Sequence, residues 1–164
     1  MRVTGYGVIF NSSGSIRYEA SGIIKTTNVN TNLASRIKII LLGLEEVIEQ
    51  FKPDCVSIEK VFVNTNPQST LLLGQARGAA ISAAVMKNLD VYEYTALQVK
   101  KSVVGMGHAS KSQVQIMVQK LLGLPSIPSP DSADALACSI CHANISGSIA
   151  KFGTGNRMKS GRII

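Results

Sequence analysis

The stretch Cys55-Val56-Ser57-Ile58-Glu59 is a short, apolar strand pattern that ends on a carboxylate. Before it, residues 33–51 repeat apolar side chains with a helical period, and Pro53 stops that pattern. After it, Pro67 opens a second helical pattern that runs to about Lys87. A strand with so few polar side chains needs cover on both faces, which neighbouring helices can supply. We therefore expect a central strand in an α/β fold.

Further patterns extend this α/β arrangement along the chain. Residues 4–10 and 16–25 predict an antiparallel pair of strands, because a turn of Asn, Ser and Gly separates them. This order of elements predicts an α/β fold with a mixed sheet flanked by helices in a single domain, residues 1–146. Residues 147–164 are rich in Gly, Ser and basic residues and predict a disordered tail. The remaining elements are one strand, at residues 89–94, and three helices. The first helix spans residues 96–104, the second begins at a capping box formed by Ser110 and Gln113, and the third runs from Asp131 to about Asn144.

The composition favours a polyanionic partner in the cytoplasm. The 164 residues include 17 Lys or Arg against 10 Asp or Glu, which gives a net charge of +7. Three cysteines, together with an N-terminus that lacks the pattern of a signal peptide, predict a reducing compartment. We expect no membrane association, because no uninterrupted apolar run reaches the ~18 residues of a membrane span.

Three of the scarce carboxylates are placed to converge. Asp131 and Asp134 are three residues apart at the start of a helical run and therefore share one face of it. Glu59 ends the central strand, where open α/β sheets hold their ligands. Taken separately, Asp131 suits a helix N-cap, Asp134 suits a first helical turn, and Glu59 suits a solvated strand end. Together they predict a site for Mg²⁺, which prefers hard oxygen ligands, and so a metal-dependent nuclease.

Basic and aromatic residues offer contacts for the phosphates and bases of DNA. Lys111 lies in a first helical turn, where its charge opposes the helix dipole unless a phosphate binds there. Lys100 belongs with Lys111 to a group of lysines on two short helices, and Arg77 lies nearby in sequence. Solvated faces are the ordinary explanation for most such charges. Phe62 follows Glu59 by three residues in a polar loop, where it is either packed under the loop or presented to stack on a base.

A haem-attachment pattern in the last helix is rejected. Cys138-Ser139-Ile140-Cys141-His142 matches C-x-x-C-H, but it lies within a helix and follows no secretion signal. One C-x-x-C without a second pair is also too little for a zinc site. We expect these side chains to be buried packing residues.

Seven segments together resemble the RuvC family of Holliday-junction resolvases. They occur in the family's order and span about residues 2–142. The segments are Arg2–Ile9, Ile58–Phe62, Leu73–Gly78, Tyr94–Lys100, Val103–Gly107, Lys111–Gln115 and Asp131–Ala137.

The resemblance implies a ribonuclease-H-like fold, a homodimer, and Mg²⁺-dependent nicking of four-way junction DNA. It also implies two ions per active site, for which Mn²⁺ can substitute, and the branch-migration partners RuvA and RuvB. Glu59, Asp131 and Asp134 match the family's metal-binding carboxylates. Phe62 matches the aromatic residue near the junction centre, and Lys100 and Lys111 match basic residues beside the scissile phosphate.

The chain departs from the family pattern at its first residue. The family begins with an apolar strand, central in the sheet, that ends in Asp-Pro-Gly. The resemblance makes that Asp the remaining catalytic carboxylate, and Met1 falls about three residues after it. A missing central strand leaves unpaired backbone groups on both of its neighbours. We expect an upstream extension that supplies the strand and its Asp. The alternative is a junction-binding protein that does not cut, or a fragment.

Overall fold

A mixed five-stranded sheet lies at the centre of the protein, as the sequence predicts. The computed structural model describes residues 2–12, 15–26, 32–61, 66–152 and 161–164, with the backbone only for residues 148–152. The strands are β1 (Val3–Ser12), β2 (Ser15–Lys25), β3 (Cys55–Glu59), β4 (Asp90–Tyr94) and β5 (Gly161–Ile163). The helices are α1 (Leu33–Phe51), α2 (Pro67–Met86), α3 (Ala96–Val104), α4 (Lys111–Leu122) and α5 (Pro130–Phe152).

The strand order is β2-β1-β5-β3-β4. β1 pairs with β2 antiparallel, which confirms the predicted pair, and its register shifts between Val8 and Ile9. β3 runs parallel to β4 and to β5, whereas β5 runs antiparallel to β1. β3 is thus paired on both sides, as its apolar sequence predicts.

The helices cover both faces of this sheet. Val8 and Ile9 are fully buried and point to opposite faces, because successive side chains of a strand alternate. Ile9 packs with apolar residues of α3, α4 and α5, whereas Val8 packs with Val47 of α1 and Ala84 of α2. In the part of the chain that the structure describes, no helix is long and apolar enough to cross a membrane.

Local sequence signals account for the helix boundaries. Thr95 and Ser110 each form a capping box with the glutamine three residues later, Gln98 and Gln113. Pro67 lies in the first turn of α2, where its missing N–H costs nothing. These starts agree with the predicted ones, so Lys100 and Lys111 are held on helices with fixed ends.

The end of the chain differs from the predicted disordered tail. Helix α5 continues past residue 147 to Phe152, and Gly161–Ile163 forms β5 within the sheet. Ile163 and Ile164 are 4% and 8% exposed. Their burial favours the ordered strand, because each isoleucine removed from water contributes roughly 1.5–3 kcal/mol. Residues 153–160 lie outside the described part of the chain.

The sequence predicts unpaired backbone groups along one edge of β1, but strand β5 pairs with part of that edge. It lies between β1 and β3, in the central position where the family resemblance places the additional strand. Its pairing reaches Ile9, Phe10 and Asn11 of β1. Towards the other end of β1, a cavity separates the two strands instead.

The C-x-x-C-H residues are buried, as predicted. Cys138, Cys141 and His142 are at most 4% exposed. The Nδ1 atom of His142 is 2.7 Å from the hydroxyl of Tyr94, and its Nε2 is 3.5 Å from the Sγ of Cys55. These contacts join α5 to β4 and β3, so this cluster stabilises the packing of α5 on the sheet.

Candidate active site

One cavity of about 520 Å³ collects the three predicted carboxylates. Glu59 reaches it from the end of β3, and Asp131 and Asp134 reach it from the first turns of α5. The other walls include the first half of β1, one side of α2, residues of α1 and Ile164. Residues 72 positions apart in the sequence are therefore brought to one place, as the sequence predicts.

Two glycines let α5 approach β1 closely enough to present the aspartates. A Cβ added to Gly5 would lie 2.0 Å from the carbonyl oxygen of Asp131, and one added to Gly7 would lie 2.6 Å from the side chain of Leu136. Ser139 donates a hydrogen bond of 3.0 Å from its Oγ to the carbonyl of Gly7. The absent side chains and this bond fix the start of α5 against β1.

Ser129, and not Asp131, caps α5. The Oγ of Ser129 accepts a bond from the backbone N–H of Ser132 at 3.4 Å, three residues on, as an N-cap side chain does. Asp131 lies in the first turn and is exposed. The ordinary explanation for Asp131, a capping role, is therefore wrong, and its carboxylate is free of that task.

The site raises the pKa of two of its carboxyl groups. Burial is the main cause for Glu59, and the nearby charge of Asp134 adds to it. Burial also raises the pKa of Asp134, and the charge of Asp131 contributes in the same direction. Both groups remain within reach of water, since Glu59 is exposed and the side chain of Asp134 is 45% exposed. A cation shared by these carboxylates would offset both the burial of their charges and the repulsion between them.

Two lysines partly oppose the rise in the pKa values of these carboxyl groups. Lys111, in the first turn of α4, places its Nζ 4.0 Å from the Oδ2 of Asp134. Lys111 and Lys100 both lower the pKa of Glu59 and of Asp134, although burial outweighs them. The structure therefore brings Lys100 and Lys111 to the same site as the carboxylates.

The oxygen donors fit a hard divalent cation by their chemistry. Among the described residues, however, no three His, Cys, Asp or Glu side chains lie close enough together to form a ready-made metal site. Glu59, Asp131 and Asp134 line the cavity without closing on a common point. These three side chains would therefore have to move to hold one cation together.

The remaining predicted contacts have different outcomes. Arg77 lines the cavity, but its guanidinium forms an ion pair with Glu93 of β4. Its charge is thus already matched by a carboxylate. Phe62 lies outside the described residues, so its predicted role stays a prediction.

Sequence reasoning missed Ser57, Ile164 and the two glycines of β1. Ser57 donates two hydrogen bonds to the carbonyl of Ile164, one from its hydroxyl Oγ at 3.2 Å and one from its backbone N–H at 2.8 Å. Ile164 lines the cavity together with Glu59. The alternation Gly5-Tyr6-Gly7 was the available signal, because glycine within a strand often marks a close approach.

Comparison with known proteins identifies the family. The family model described as crossover junction endodeoxyribonuclease RuvC matches residues 1–142. A protein of that name from Methylobacillus flagellatus is 59% identical, over 100% of this chain and 94% of its own length. Another from Azoarcus sp. is 56% identical, over 100% of this chain and 89% of its own length.

Two solved structures of RuvC proteins are similar to this chain in fold. The Thermus thermophilus RuvC structure is 31% identical with a TM-score of 0.77, and covers 94% of this chain and 92% of its own. A second Thermus thermophilus structure, in complex with a Holliday junction substrate, is 29% identical with a TM-score of 0.78, and covers 90% of this chain and 96% of its own. These neighbours confirm the ribonuclease-H-like fold.

The names of the relatives also bear on the two functions that the sequence left open. The relatives are named as endonucleases, so the comparison favours a protein that cuts junctions over one that only binds them. Nucleases of this family depend on divalent metal ions, in agreement with the donor chemistry of the cavity. The chain belongs to the RuvC family of crossover junction endodeoxyribonucleases, the Holliday-junction resolvases.

Proposed function

We propose that Glu59, Asp131 and Asp134 hold Mg²⁺ in the cavity, with two ions per site, and that Mn²⁺ can replace it. The observation that carries this proposal is the convergence of three carboxylates, from β3 and from α5, on one cavity beside Lys100 and Lys111. The raised pKa of Glu59 supports it, because a carboxyl group held at such a cost is typical of a functional site.

The substrate of this site is four-way junction DNA. The net charge of +7 favours a polyanion, and the related Thermus thermophilus protein is described in complex with a Holliday junction substrate. Metal ions held by Glu59, Asp131 and Asp134 would supply an activated water and stabilisation of the leaving 3′ oxygen. The role of the three carboxylates would be to hold the metal, and the role of Lys100 and Lys111 would be to balance the negative charge that develops on the reacting phosphate.

Lys111 has a specific part in this scheme. Its Nζ is 4.0 Å from Asp134 in the protein without substrate, so it is poised between the carboxylates and the entering phosphate. Its contact with Asp134 is solvent-exposed and weak, and therefore easily exchanged for a contact with DNA. Its proposed effect is on the rate of cleavage more than on affinity.

The wider assembly rests on family membership. We propose a homodimer, so that the two strands of a junction are nicked in pairs, working with RuvA and RuvB in the cytoplasm. Phe62 is assigned to the junction centre by the same resemblance. Arg77 is a weaker DNA contact, because Glu93 already neutralises its guanidinium.

The test is Glu59→Gln, which removes a charged ligand and little volume. We expect cleavage of a synthetic junction to fall to background and Mn²⁺ affinity to fall more than about tenfold. Junction binding without metal should stay near wild type. The matched control is Glu49→Gln, the same chemical change on the exposed, Lys87-paired side chain of α1, which should alter none of these. Cleavage by Glu59→Gln at the wild-type rate would overturn the metal assignment.

A further inference from the structure

We propose that Lys60 is a further DNA-binding residue of the active site, which contacts a backbone phosphate next to the one that is cut. Lys60 directly follows Glu59, the last residue of β3. The inference rests on the proposed function, because it requires junction DNA at the carboxylates, but it does not require a bound metal ion.

The sheet holds the backbone of Lys60 in place. Glu59 pairs with Tyr94 in the parallel ladder between β3 and β4. The N–H of Lys60 donates to the carbonyl of Tyr94 at 2.7 Å, so the ladder continues for one residue past the end of β3. The Cα of Lys60 is therefore fixed relative to Glu59, and its flexible side chain is the part that adjusts to a ligand.

The side chains of Glu59 and Lys60 point to opposite faces of the sheet, because successive side chains of a strand alternate. Glu59 points towards α5, since the charge of Asp134 acts on it. Ile58, on the face that Lys60 shares, packs with a cluster that includes Ala84 of α2. Both Glu59 and Lys60 line the cavity, so the cavity reaches both faces at the end of β3.

The charge of Lys60 is available for a phosphate. Lys60 is exposed, and it forms no ion pair with any residue in the part of the chain that the structure describes. Arg77 is the other basic residue among the described residues that line the cavity, and Glu93 already matches its charge. An unmatched cation at this place favours a DNA phosphate, since binding releases the counterions of the DNA.

The two faces of the cavity define a path for the DNA strand. The phosphate that is cut has to lie on the α5 side, where Lys100 and Lys111 act on the carboxylates. A strand held there crosses the end of β3 and brings a neighbouring phosphate to the side of Lys60. Contacts to such phosphates fix the register of a nucleic acid. Lys60 should therefore act on affinity, whereas Lys111 acts on the rate of cleavage.

The experiment compares Lys60→Gln with Lys38→Gln, the same change on an exposed lysine of α1 that does not line the cavity. In titrations of a synthetic four-way junction without metal, Lys60→Gln should bind about threefold to tenfold more weakly, and its slope of log affinity against log salt should be smaller by about 0.9. Lys38→Gln should match wild type in both, and Lys60→Arg should retain most of the affinity. A loss for Lys60→Gln no larger than that for Lys38→Gln, or an unchanged salt slope, would overturn the proposal.

Neutral linkages in the junction identify the phosphate. A methylphosphonate replaces one charged phosphate, and a series of junctions carries it at each position around the cut. At the position that Lys60 contacts, the replacement should weaken wild type and have little further effect on Lys60→Gln, because both changes remove the same contact. Fully additive losses at every position would also contradict a direct contact.

Binding without metal separates this contact from the metal site. If Glu59→Gln cuts at the wild-type rate, the metal site has failed, whereas the contact of Lys60 with DNA is still decided by the titrations. If Lys60→Gln binds as tightly as wild type while Glu59→Gln has lost cleavage, the metal site stands and the Lys60 contact has failed.

Discussion

The close contact between Gly5 and α5 makes Gly5→Ala the sharpest perturbation of the site. The new Cβ would lie 2.0 Å from the carbonyl oxygen of Asp131 and 2.4 Å from its carbonyl carbon, where ordinary contacts begin near 3.4 Å. Backbone, and not a flexible side chain, blocks it, so the start of α5 must move by roughly 1 Å or more. A displacement of this size costs an active site about 100-fold in rate. Overpacking should also cost about 1–3 kcal/mol of stability.

Single-turnover cleavage of a synthetic four-way junction measures the rate, and thermal unfolding measures the stability. Gly74→Ala is the matched control, because a Cβ there meets nothing within 4 Å in the described structure. Within helix α2 it should stabilise by roughly 0.5–1 kcal/mol and leave the rate unchanged. If Gly5→Ala cuts at the wild-type rate and melts at the wild-type temperature, the close approach of α5 to β1 does not position the aspartates.

Three further outcomes follow from the charges of the site. Lys111→Gln should slow cleavage about tenfold or more and change junction affinity little, whereas Lys120→Gln, the same change in the last turn of α4, should do neither; equal losses of rate would remove Lys111 from the site. Because the folded-state pKa of Glu59 is raised, the metal-free protein loses stability as pH rises from the ordinary Glu value of about 4.3 through the raised value. Without metal, Glu59→Gln should therefore have a higher melting temperature than wild type at pH 8. Thermal scans at lower pH should show this difference disappearing below about pH 4. A difference in melting temperature that stays constant with pH would contradict the raised pKa of Glu59. Junction affinity, measured by titration without metal, should fall at least tenfold between about 50 and 200 mM salt, and a flat response would argue against phosphate contacts.

The sequence was sufficient for most elements and for the acidic site because their signals are local. The capping boxes at Thr95 and Ser110 and the proline in the first turn of α2 fix helix starts within a few residues. Asp131 and Asp134 share a helical face by spacing, and Glu59 ends a parallel strand by pattern. These rules place the three carboxylates together without knowledge of any distant contact.

Strand β5 could not be predicted in the same way. Gly161-Arg162-Ile163-Ile164 is too short for a periodic signal and follows a stretch rich in glycine and basic residues. It is ordered by burial between β1 and β3, which is a tertiary effect. The cap of α5 was misassigned for a related reason. Ser129 and Asp131 are both good capping residues, and sequence alone does not decide between them.

The position of β5 has a consequence for the order in which the protein folds. Ile163 of β5 pairs with Ile9 of β1, and 154 positions of sequence separate the two residues. Contacts of such high sequence separation form late, because the chain entropy of the intervening loop is lost before they contribute stability. The β1–β2 hairpin and the β3–β4 pair can each form during synthesis with their own helices. The sheet becomes continuous once Gly161–Ile163 has paired with both β1 and β3.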